Sequence, residues 1–310
     1  MQFKPQKIAV LMGGIGQERE VSLDSGRCVA QALSKAGYET VSWDVAPDRL
    51  EILDDSSVDV FFLALHGEFG EDGQLQAILE SRGLTYTGSQ SGPCRVAFDK
   101  HASKTSFEAL GVLTPPSVVF DTAWSPPQFD ALVEPLGGRV VIKPLCQGSS
   151  VGVQILDAEA SLYRACCDTV ELHGSCLVEA FVAGRELTVG ILNGQTLLVL
   201  EIRTPGSDFY DYQAKYVGQT TEYLFDSVTS ACAEAMQKAA LTSFQGMGLR
   251  HVARVDFMLT EAGEAFALEV NTIPGLTSHS LLPKAAARVG LDMSALCCQV
   301  VQAALSYELD

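Results

Sequence analysis

Apolar residues in the first third of the chain change between a strand-like and a helix-like spacing. Three short apolar segments are typical of buried strands: 8–12, 40–45 and 60–65. Helical spacing covers about 21–36, with Gly37 as the stop, and returns over 74–81. This alternation of strands and helices predicts a parallel sheet flanked by helices.

The remainder of the chain divides into two further units. The second is predicted to contain a helix over 100–110 and strands over 139–143 and 176–182. It follows a segment rich in glycine and serine, 88–93, that is typical of a linker. The third is predicted to hold a long polar and aromatic loop over 203–223, a helix over 231–245 and a hairpin over 253–272. A helical C-terminal stretch is predicted to follow. We therefore expect a mixed α/β protein with three domains: 1–95, 96–183 and 184–310.

The two strands of the predicted hairpin carry acidic residues on one face. If its turn is centred between positions 262 and 263, Asp256 lies opposite Glu269 and Arg254 lies opposite Asn271. Facing carboxylates weaken a ladder, whereas a hard cation such as Mg²⁺ would hold them together with water and phosphate oxygens. The alternative is a pair of solvated acids on an exposed hairpin.

Composition narrows the classes of partner and compartment. The chain carries 21 basic and 38 acidic residues, a formal charge of −17, which argues against a nucleic-acid or anionic-membrane partner. Its start does not resemble a signal peptide, and no apolar run reaches the length of a membrane span. The nine cysteines lack CxxC spacing and are typical of reduced thiols. We expect a cytoplasmic protein.

Loops that contain glycine follow two of the N-terminal strands. The turn at 13–16 lacks the third glycine of a dinucleotide fingerprint, because Arg19 stands in its place. Glu18, beside this turn, either holds a small ligand or acts only as an acid in the first turn of the helix. The segment 66–73 leaves the third strand at its carboxyl end, where open α/β sheets bind ligands. Its alternative is a turn with solvated acids.

Residues after the strand that ends at Lys143 suit a polyphosphate. The lysine supplies a point charge, and the loop 148–152 supplies backbone N–H groups and hydroxyls. This loop is not a Walker A loop, because no lysine follows its second glycine, and its alternative is a plain hairpin loop.

Three later segments carry further candidate chemistry. Residues 179–186 could hold an adenine beside apolar surface, with an acid for ribose hydroxyls. Residues 209–216 are predicted to form a lid over a substrate, or else an ordinary surface loop packed by its own tyrosines. The polar turn 271–280 could bind a carboxylate or an oxyanion.

In matching order along the whole chain, these segments resemble the ATP-grasp ligases, and among them the D-alanine–D-alanine ligase family. The resemblance is carried by seven motifs: Gly13-Gly14 with Glu18-Arg19-Glu20-Val21-Ser22, His66-Gly67 with Gly70-Glu71-Asp72-Gly73, Lys143-Pro144 with Gly148-Ser149-Ser150-Val151-Gly152, Gly184-Arg185-Glu186, Tyr210-Asp211-Tyr212 with Lys215-Tyr216, Arg254-Val255-Asp256-Phe257, and Glu269-Val270-Asn271-Thr272 with Pro274-Gly275.

This resemblance implies a three-domain α/β fold in which ATP is held between the sheets of the central and C-terminal domains. It also implies that ATP phosphorylates the carboxylate of a first D-alanine. The amine of a second D-alanine then attacks the acylphosphate, and phosphate leaves a tetrahedral intermediate. The product, D-alanyl-D-alanine, would serve the synthesis of peptidoglycan precursors.

Residue roles at the nucleotide follow from the same resemblance. The phosphates would be held by Lys100, Lys143 and Lys215, with Ser149, Ser150 and Phe209 also at the nucleotide. The nucleoside would contact Glu179, Phe181, Val182 and Glu186. Two Mg²⁺ ions, replaceable by Mn²⁺, would be ligated by Asp256, Glu269 and Asn271.

Residue roles at the amino-acid substrates are likewise implied. Glu18 would take the first ammonium group, with His66 nearby. Arg254 and the Gly275 N–H would stabilise the oxyanion, and Ser280 with the Leu281 N–H would take the second carboxylate. A hydrogen-bonded link of Glu18, Ser149 and Tyr216 would tie the lid to the N-terminal unit. The expected partners are D-alanine and ATP, with no nucleic acid or membrane, and the expected assembly is a homodimer.

Two alternatives stay open at this point. One is an ATP-grasp ligase with D-lactate or D-serine as the second substrate. Tyr216 favours an amino acid there, since a different residue is expected at this lid position in ligases that use D-lactate. The other is a non-catalytic ATP-binding sensor, which would be expected to have lost a metal ligand or Arg254.

Overall fold

Three β-sheets with helices packed on them make up the computed structural model of the chain, which describes residues 7–157, 161–204 and 221–306. The N-terminal sheet is parallel, with strand order β2-β1-β3. Its strands are β1 (Lys7–Gly13), β2 (Glu39–Val45) and β3 (Val60–Leu63). The helices that follow β1 and β3 are α1 (Arg19–Lys35) and α2 (Gln74–Ser81), with a 3-10 turn at Glu51–Asp54. The predicted alternation of strands and helices is confirmed.

Both faces of the N-terminal sheet are covered, because β1 is central and almost wholly buried. On one face, Val10 packs in the same apolar cluster as Leu33 of α1 and Val300 of the last helix, α9 (Met293–Ser306). The chain therefore returns to its first sheet at its C-terminal end, which brings the C-terminal turns close to the loops after β1 and β3.

Residues 88–93 are not a free linker, so this prediction is wrong from Ser91 onward. Helix α3 (Ser91–Phe98) begins there, and Gly88 is bound on both sides by the C-terminal unit. Its carbonyl accepts a 2.7 Å hydrogen bond from Arg250 Nε, and its N–H donates to His251 Nδ1 over 3.1 Å. The proline at 93 is tolerated because the first-turn N–H groups of a helix have no partner within that helix.

The central sheet is antiparallel, with strand order β4-β7-β5-β6. Its strands are β4 (Ser117–Val119), β5 (Arg139–Pro144), β6 (Gln154–Asp157) and β7 (Cys176–Ala180). Its helices are α5 (Pro126–Val133) and α6 (Leu162–His173), with a 3-10 turn at Glu134–Leu136. The predicted strands at 139–143 and 176–182 are present, whereas β4, β6 and both helices escaped the sequence patterns.

The C-terminal sheet is antiparallel, with strand order β11-β10-β8-β12-β13, and β9 pairs with β8. Its strands are β8 (Arg185–Leu192), β9 (Gln195–Thr196), β10 (Leu200–Arg203), β11 (Glu222–Phe225), β12 (Val252–Leu259) and β13 (Ala265–Asn271). Its helices are α7 (Ser230–Gly246) and α8 (Leu281–Arg288). Strands therefore occupy both ends of the predicted 203–223 loop.

Helix α4 (Lys100–Ala109) packs on the C-terminal sheet, since Phe107 lies in the same apolar cluster as Val255 and Phe257. It follows α3 after a single residue, Asp99, whose carboxylate accepts hydrogen bonds from the first-turn N–H groups of α4.

The three domain ranges remain predictions. Among the described residues no single helix could span a membrane; only α8 and α9 taken together, across a 100° bend, have the length and composition.

Candidate active site

A cleft between the central and C-terminal sheets collects most of the predicted nucleotide residues. It encloses about 1000 Å³, part of it open to solvent. The predicted residues on its walls are Lys100, Lys143, Ser150, Glu179, Phe181, Val182 and Glu186. Two predicted metal ligands, Asp256 and Glu269, line the same cleft. The side chains of Val141, Ile155, Met258 and Leu268 add apolar walls that the motifs did not reveal.

Positive charge on one wall is supplied by two lysines, one buried and one partly buried. Lys100 is the first residue of α4, and its ammonium group donates to the Gln147 carbonyl at the start of the glycine loop. Burial lowers the pKa of Lys100, and the nearby Glu269 carboxylate acts in the opposite direction. Lys143, near the end of β5, is paired with Glu179 of β7. Both ammonium groups are thus held by short contacts at the edge of the cleft.

The loop after β5 carries two serines in a backbone region that favours glycine. Ser149 and Ser150 have φ of +50° and +60°. For residues other than glycine this region costs about 1–3 kcal/mol. The strain is local to the cleft, because Ser150 is one of its lining residues.

The acidic hairpin has the predicted register: Asp256 pairs with Glu269, and Arg254 pairs with Asn271. A bulge beyond Asp256 shifts the pairing by one residue toward the turn, where Phe257 lies opposite Ala267. The prediction of the four facing residues is confirmed, although the turn itself is not centred where symmetry placed it.

Asp256 is the focus of this hairpin and is only 5% exposed. Arg254 donates to both of its oxygens, at 2.8 Å and 2.7 Å. The Thr188 hydroxyl donates at 2.6 Å, and Asn271 Nδ2 donates at 3.1 Å. A pair of solvated acids is therefore excluded for Asp256, because a buried carboxylate with this many donors is an organised site.

The donor set of the hairpin fits a hard divalent cation. Within the described residues, no group of three or more His, Cys, Asp and Glu side chains could hold a metal ion by itself. Mg²⁺ does not require one, since it commonly binds one or two carboxylates together with phosphate oxygens and water. Asn271 uses its amide nitrogen toward Asp256, which leaves the amide oxygen as its ligand atom.

A second constellation joins the N-terminal unit to the glycine loop. Glu18 precedes α1 but makes no side-chain capping bond to it. Its carboxylate instead accepts a hydrogen bond from the Ser149 hydroxyl, 131 residues away in the chain. A Cβ atom on Gly148 would lie 2.4 Å from Glu18 Oε2, and one on Gly67 would lie 2.8 Å from it. Both glycines are therefore needed for the carboxylate to occupy this position.

The loop after β3 buries two titratable side chains. His66 contacts the Ser25 hydroxyl through Nε2 at 3.0 Å and the Ile273 backbone through a further hydrogen bond. Burial lowers the pKa of His66 to about 4, so the ring is neutral. Leu276 N–H donates to the same Ser25 hydroxyl at 3.3 Å. His66 and Ser25 thus attach the turn after β13 to the N-terminal unit.

Glu71 in the same loop is buried, so the alternative of a turn with solvated acids is wrong for this residue. Its carboxyl group accepts hydrogen bonds from Gly67 N–H, at 2.8 Å, and from the Ile273 N–H. Burial and the neighbouring Glu18 carboxylate raise the pKa of Glu71 to about 8. The hydrogen bonds to backbone N–H groups partly oppose this rise. The residue lay inside a recognised motif, but only its burial identifies it as part of the site.

The turn after β13 brings Gly275 and Ser280 together. A Cβ atom on Gly275 would lie 2.7 Å from Ser280 Oγ. This hydroxyl accepts a 3.0 Å hydrogen bond from Thr277 N–H. Ser280 is the N-cap of α8, so the Leu281 N–H belongs to the first turn of that helix, where N–H groups have no helical partner.

The remaining predicted residues, Phe209, Lys215 and Tyr216, lie outside the described residues. Sequence reasoning also missed Lys104, a buried lysine of α4 that contacts Glu179. Its only signal was its position one turn after Lys100, which the helical spacing alone could not separate from a surface lysine.

Comparisons with known proteins agree along the chain. Residues 107–302 match the D-ala D-ala ligase C-terminus family, and residues 46–89 match the D-ala D-ala ligase N-terminus family. The chain is 41% identical to the D-alanine–D-alanine ligase of Anaeromyxobacter sp. (strain Fw109-5) over 96% of this chain and 97% of the relative.

Solved structures show the same fold. The D-alanine–D-alanine ligase of Bacillus anthracis complexed with ATP superposes with a TM-score of 0.85 at 30% identity, over 97% of this chain and 98% of that chain. A D-Ala:D-Ser ligase of Enterococcus faecalis superposes with a TM-score of 0.83 at 26% identity, over 97% of this chain and 100% of that chain. Because sequence and fold agree over nearly the whole length, the chain belongs to the D-alanine–D-alanine ligase family of ATP-grasp enzymes.

Proposed function

We propose that the chain joins two molecules of D-alanine to D-alanyl-D-alanine at the expense of ATP, and so supplies a peptidoglycan precursor. ATP phosphorylates the carboxylate of the first D-alanine, which gives an acylphosphate and ADP. The amine of the second D-alanine attacks the carbonyl carbon, and phosphate leaves the tetrahedral intermediate.

One observation carries this proposal: a single cleft has lysines on one wall and facing carboxylates on another. Lys100 and Lys143 suit the phosphates of a nucleotide, whereas Asp256 and Glu269 would repel them. Both sets can serve one ligand only if cations lie between the carboxylates and the phosphates. Enzymes that transfer phosphoryl groups from ATP combine lysine and metal in this way.

At the nucleotide end, apolar walls and polar groups are arranged for a purine and a ribose. Phe181 follows β7, and the Arg139 guanidinium lies 4.6 Å from the centre of its ring, which holds the ring in place. Val182 follows it along the cleft wall, and Glu179 and Glu186 offer carboxylates for the amino group of the base and for ribose hydroxyls. Lys215 and Phe209 complete the proposed nucleotide set.

Asp256, Glu269 and Asn271 would hold two Mg²⁺ ions, or Mn²⁺ in their place. When bound, such ions neutralise the charge of the transferring phosphoryl group. The chain's own contribution is the position of these oxygens. Thr188 and Asn271 hold the Asp256 carboxylate in place, so this ligand is positioned by the chain itself.

At the amino-acid end, Glu18 takes the ammonium group of the first D-alanine, and Ser149 and Tyr216 orient its carboxylate. Arg254 and the Gly275 N–H stabilise the oxyanion of the tetrahedral intermediate, which is the role that fixed donors serve in acyl transfer. Ser280 and the Leu281 N–H take the carboxylate of the second D-alanine. His66, neutral and buried, supports the Gly275 turn through the Ile273 backbone.

The family resemblance further suggests a cytoplasmic homodimer. Sedimentation of the purified chain tests the assembly, and fractionation of cells tests the compartment.

Phosphate release from Mg-ATP tests the reaction. D-alanine, L-alanine, D-serine and D-lactate are offered singly and each together with D-alanine. Release that requires D-alanine, with D-alanyl-D-alanine as product, is the expected result. If phosphate release depends on D-serine or D-lactate as the second substrate, that compound is the acceptor in place of the second D-alanine. Tight ATP binding without phosphate release for any pair would support a sensor instead.

A further inference from the structure

Lys104 is a buried cation to which the motifs assign no role. It lies on α4, one turn after Lys100, and only 2% of its surface is exposed. Its ammonium group donates to Glu179 Oε2 at 3.0 Å and to the Thr114 hydroxyl at 2.9 Å. A lysine is rarely buried this completely unless its charge is matched, and here the match is Glu179.

Glu179 is thereby held from two sides. Lys104 contacts one carboxylate oxygen, and Lys143 contacts the other. The two lysines differ in access, because the Lys143 side chain is 13% exposed and lines the cleft, whereas the Lys104 side chain is 3% exposed and does not. Burial alone would raise the pKa of Glu179, but both lysines hold it below its usual value, so the carboxylate stays ionised.

A contact of Lys143 with a phosphate weakens its pairing with Glu179, since one ammonium group cannot fully serve both anions. A buried carboxylate that loses its only cation is strongly destabilised. With Lys104 in place, Glu179 keeps a second counter-charge when Lys143 contacts a nucleotide phosphate.

We propose that Lys104 is a positioning residue for ATP binding: it holds Glu179 as a carboxylate and frees Lys143 for the phosphates. Its second contact fixes it in space, because the Thr114 hydroxyl in turn donates to the Ala267 carbonyl of β13 at 2.9 Å. Lys104 therefore also connects the two sheets that form the cleft, through Glu179 on one side and β13 on the other.

This inference rests on the proposed use of ATP. It is tested by calorimetry of Mg-ATP binding to the full chain, together with steady-state kinetics. The variants are Lys104→Met, Glu179→Gln and their combination, which removes both buried charges with little change of shape. Lys238→Met is the matched control, because it removes an exposed lysine of α7 outside the cleft.

Lys104→Met is expected to raise the Kd and the KM for ATP at least ten-fold, about 1.4 kcal/mol, while kcat at saturating ATP stays within about three-fold. Lys238→Met is expected to match the wild type. The double variant is expected to bind ATP no more weakly than Glu179→Gln alone, because the proposed effect of Lys104 on Lys143 runs through that carboxylate. A merely structural lysine would lower thermal stability without this separation of KM from kcat.

The inference is overturned if Lys104→Met binds ATP with a Kd within two-fold of the wild type. It is also overturned if the fold-loss of ATP affinity in the double variant equals the product of the fold-losses in the two single variants. If Lys104→Met does not fold, the ATP affinity of the double variant is compared with that of Glu179→Gln alone. Equal affinity supports the inference, and a ten-fold weaker affinity of the double variant overturns it. A wild-type chain that does not bind Mg-ATP would overturn the proposed function as well.

Discussion

Gly148→Ala is predicted to impair ligation while the protein stays folded. The new Cβ atom would lie 2.4 Å from Glu18 Oε2, closer than any real contact, so the carboxylate must move. The backbone itself tolerates alanine, because Gly148 is absent from the glycines with positive φ. The end of the Glu18 side chain can turn away, and the loss of its hydrogen bond is partly offset, because replacing a glycine stabilises a chain by about 0.4–1 kcal/mol through its unfolded state.

The functional cost follows from the contact that is broken. Displacement of Glu18 separates it from the Ser149 hydroxyl, a hydrogen bond to a charged group. Such bonds contribute about 1.5–3 kcal/mol. At about 1.4 kcal/mol per factor of ten, kcat/KM for D-alanine should fall by about 10- to 150-fold. Because Gly148 is not among the residues that line the nucleotide cleft, the KM for ATP should change less.

The assay compares steady-state kinetics for both substrates with urea unfolding of the same variants. Gly138→Ala is the matched control, since its Cβ would meet nothing within 4 Å. Ser149→Ala removes the same hydrogen bond from the other side, so its effect and that of Gly148→Ala should not add. Gly148→Ala with unchanged kcat/KM would refute the role of Glu18, and a large loss of stability would refute the steric reasoning.

Three further predictions concern the metal site, the buried acid and pH. Glu269→Gln should nearly abolish turnover while the fold persists, because a metal ligand is weakened. Glu264→Gln, at the exposed end of the same hairpin, should leave turnover unchanged. Normal turnover of Glu269→Gln at saturating Mg²⁺ would contradict the metal assignment. Glu71→Leu leaves the buried Gly67 N–H without its acceptor and should cost about 1–3 kcal/mol in urea unfolding, whereas Glu68→Leu, exposed in the same loop, should change stability by less than about 0.5 kcal/mol. His66 stays neutral in the folded chain down to about pH 4, while the unfolded chain takes up a proton near pH 6.5. Stability should therefore fall with decreasing pH across that window, by at most about 1.4 kcal/mol per pH unit for this group, and His66→Gln should remove that part of the slope.

Much of the site could be predicted because its elements are local. The period-two alternation of the hairpin placed Asp256 opposite Glu269, and the structure has that pair. The register was right because one face carries four polar groups, and a slip by one residue would have turned all of them away. The bulge beyond Asp256 was not predictable, since it depends on how β13 fits its neighbours rather than on the alternation itself.

Other parts were decided by contacts between distant segments. The 88–93 segment has the composition of a linker, yet Arg250 and His251 fix Gly88 from the other end of the chain. A window of sequence contains no information about such partners, and turn-forming residues occur equally in linkers and before helices.

By itself, the sequence determined the alternation of strands and helices in the N-terminal unit, the facing residues of the hairpin and the motifs that mark an ATP-grasp ligase. Only the tertiary structure decided which charged side chains are buried: Glu71 beneath Gly67 and Ile273, and Lys104 against Glu179. The physical reason is that periodicity reports which way a residue faces within its own element. Burial and charge pairing depend on what the rest of the chain places against that face.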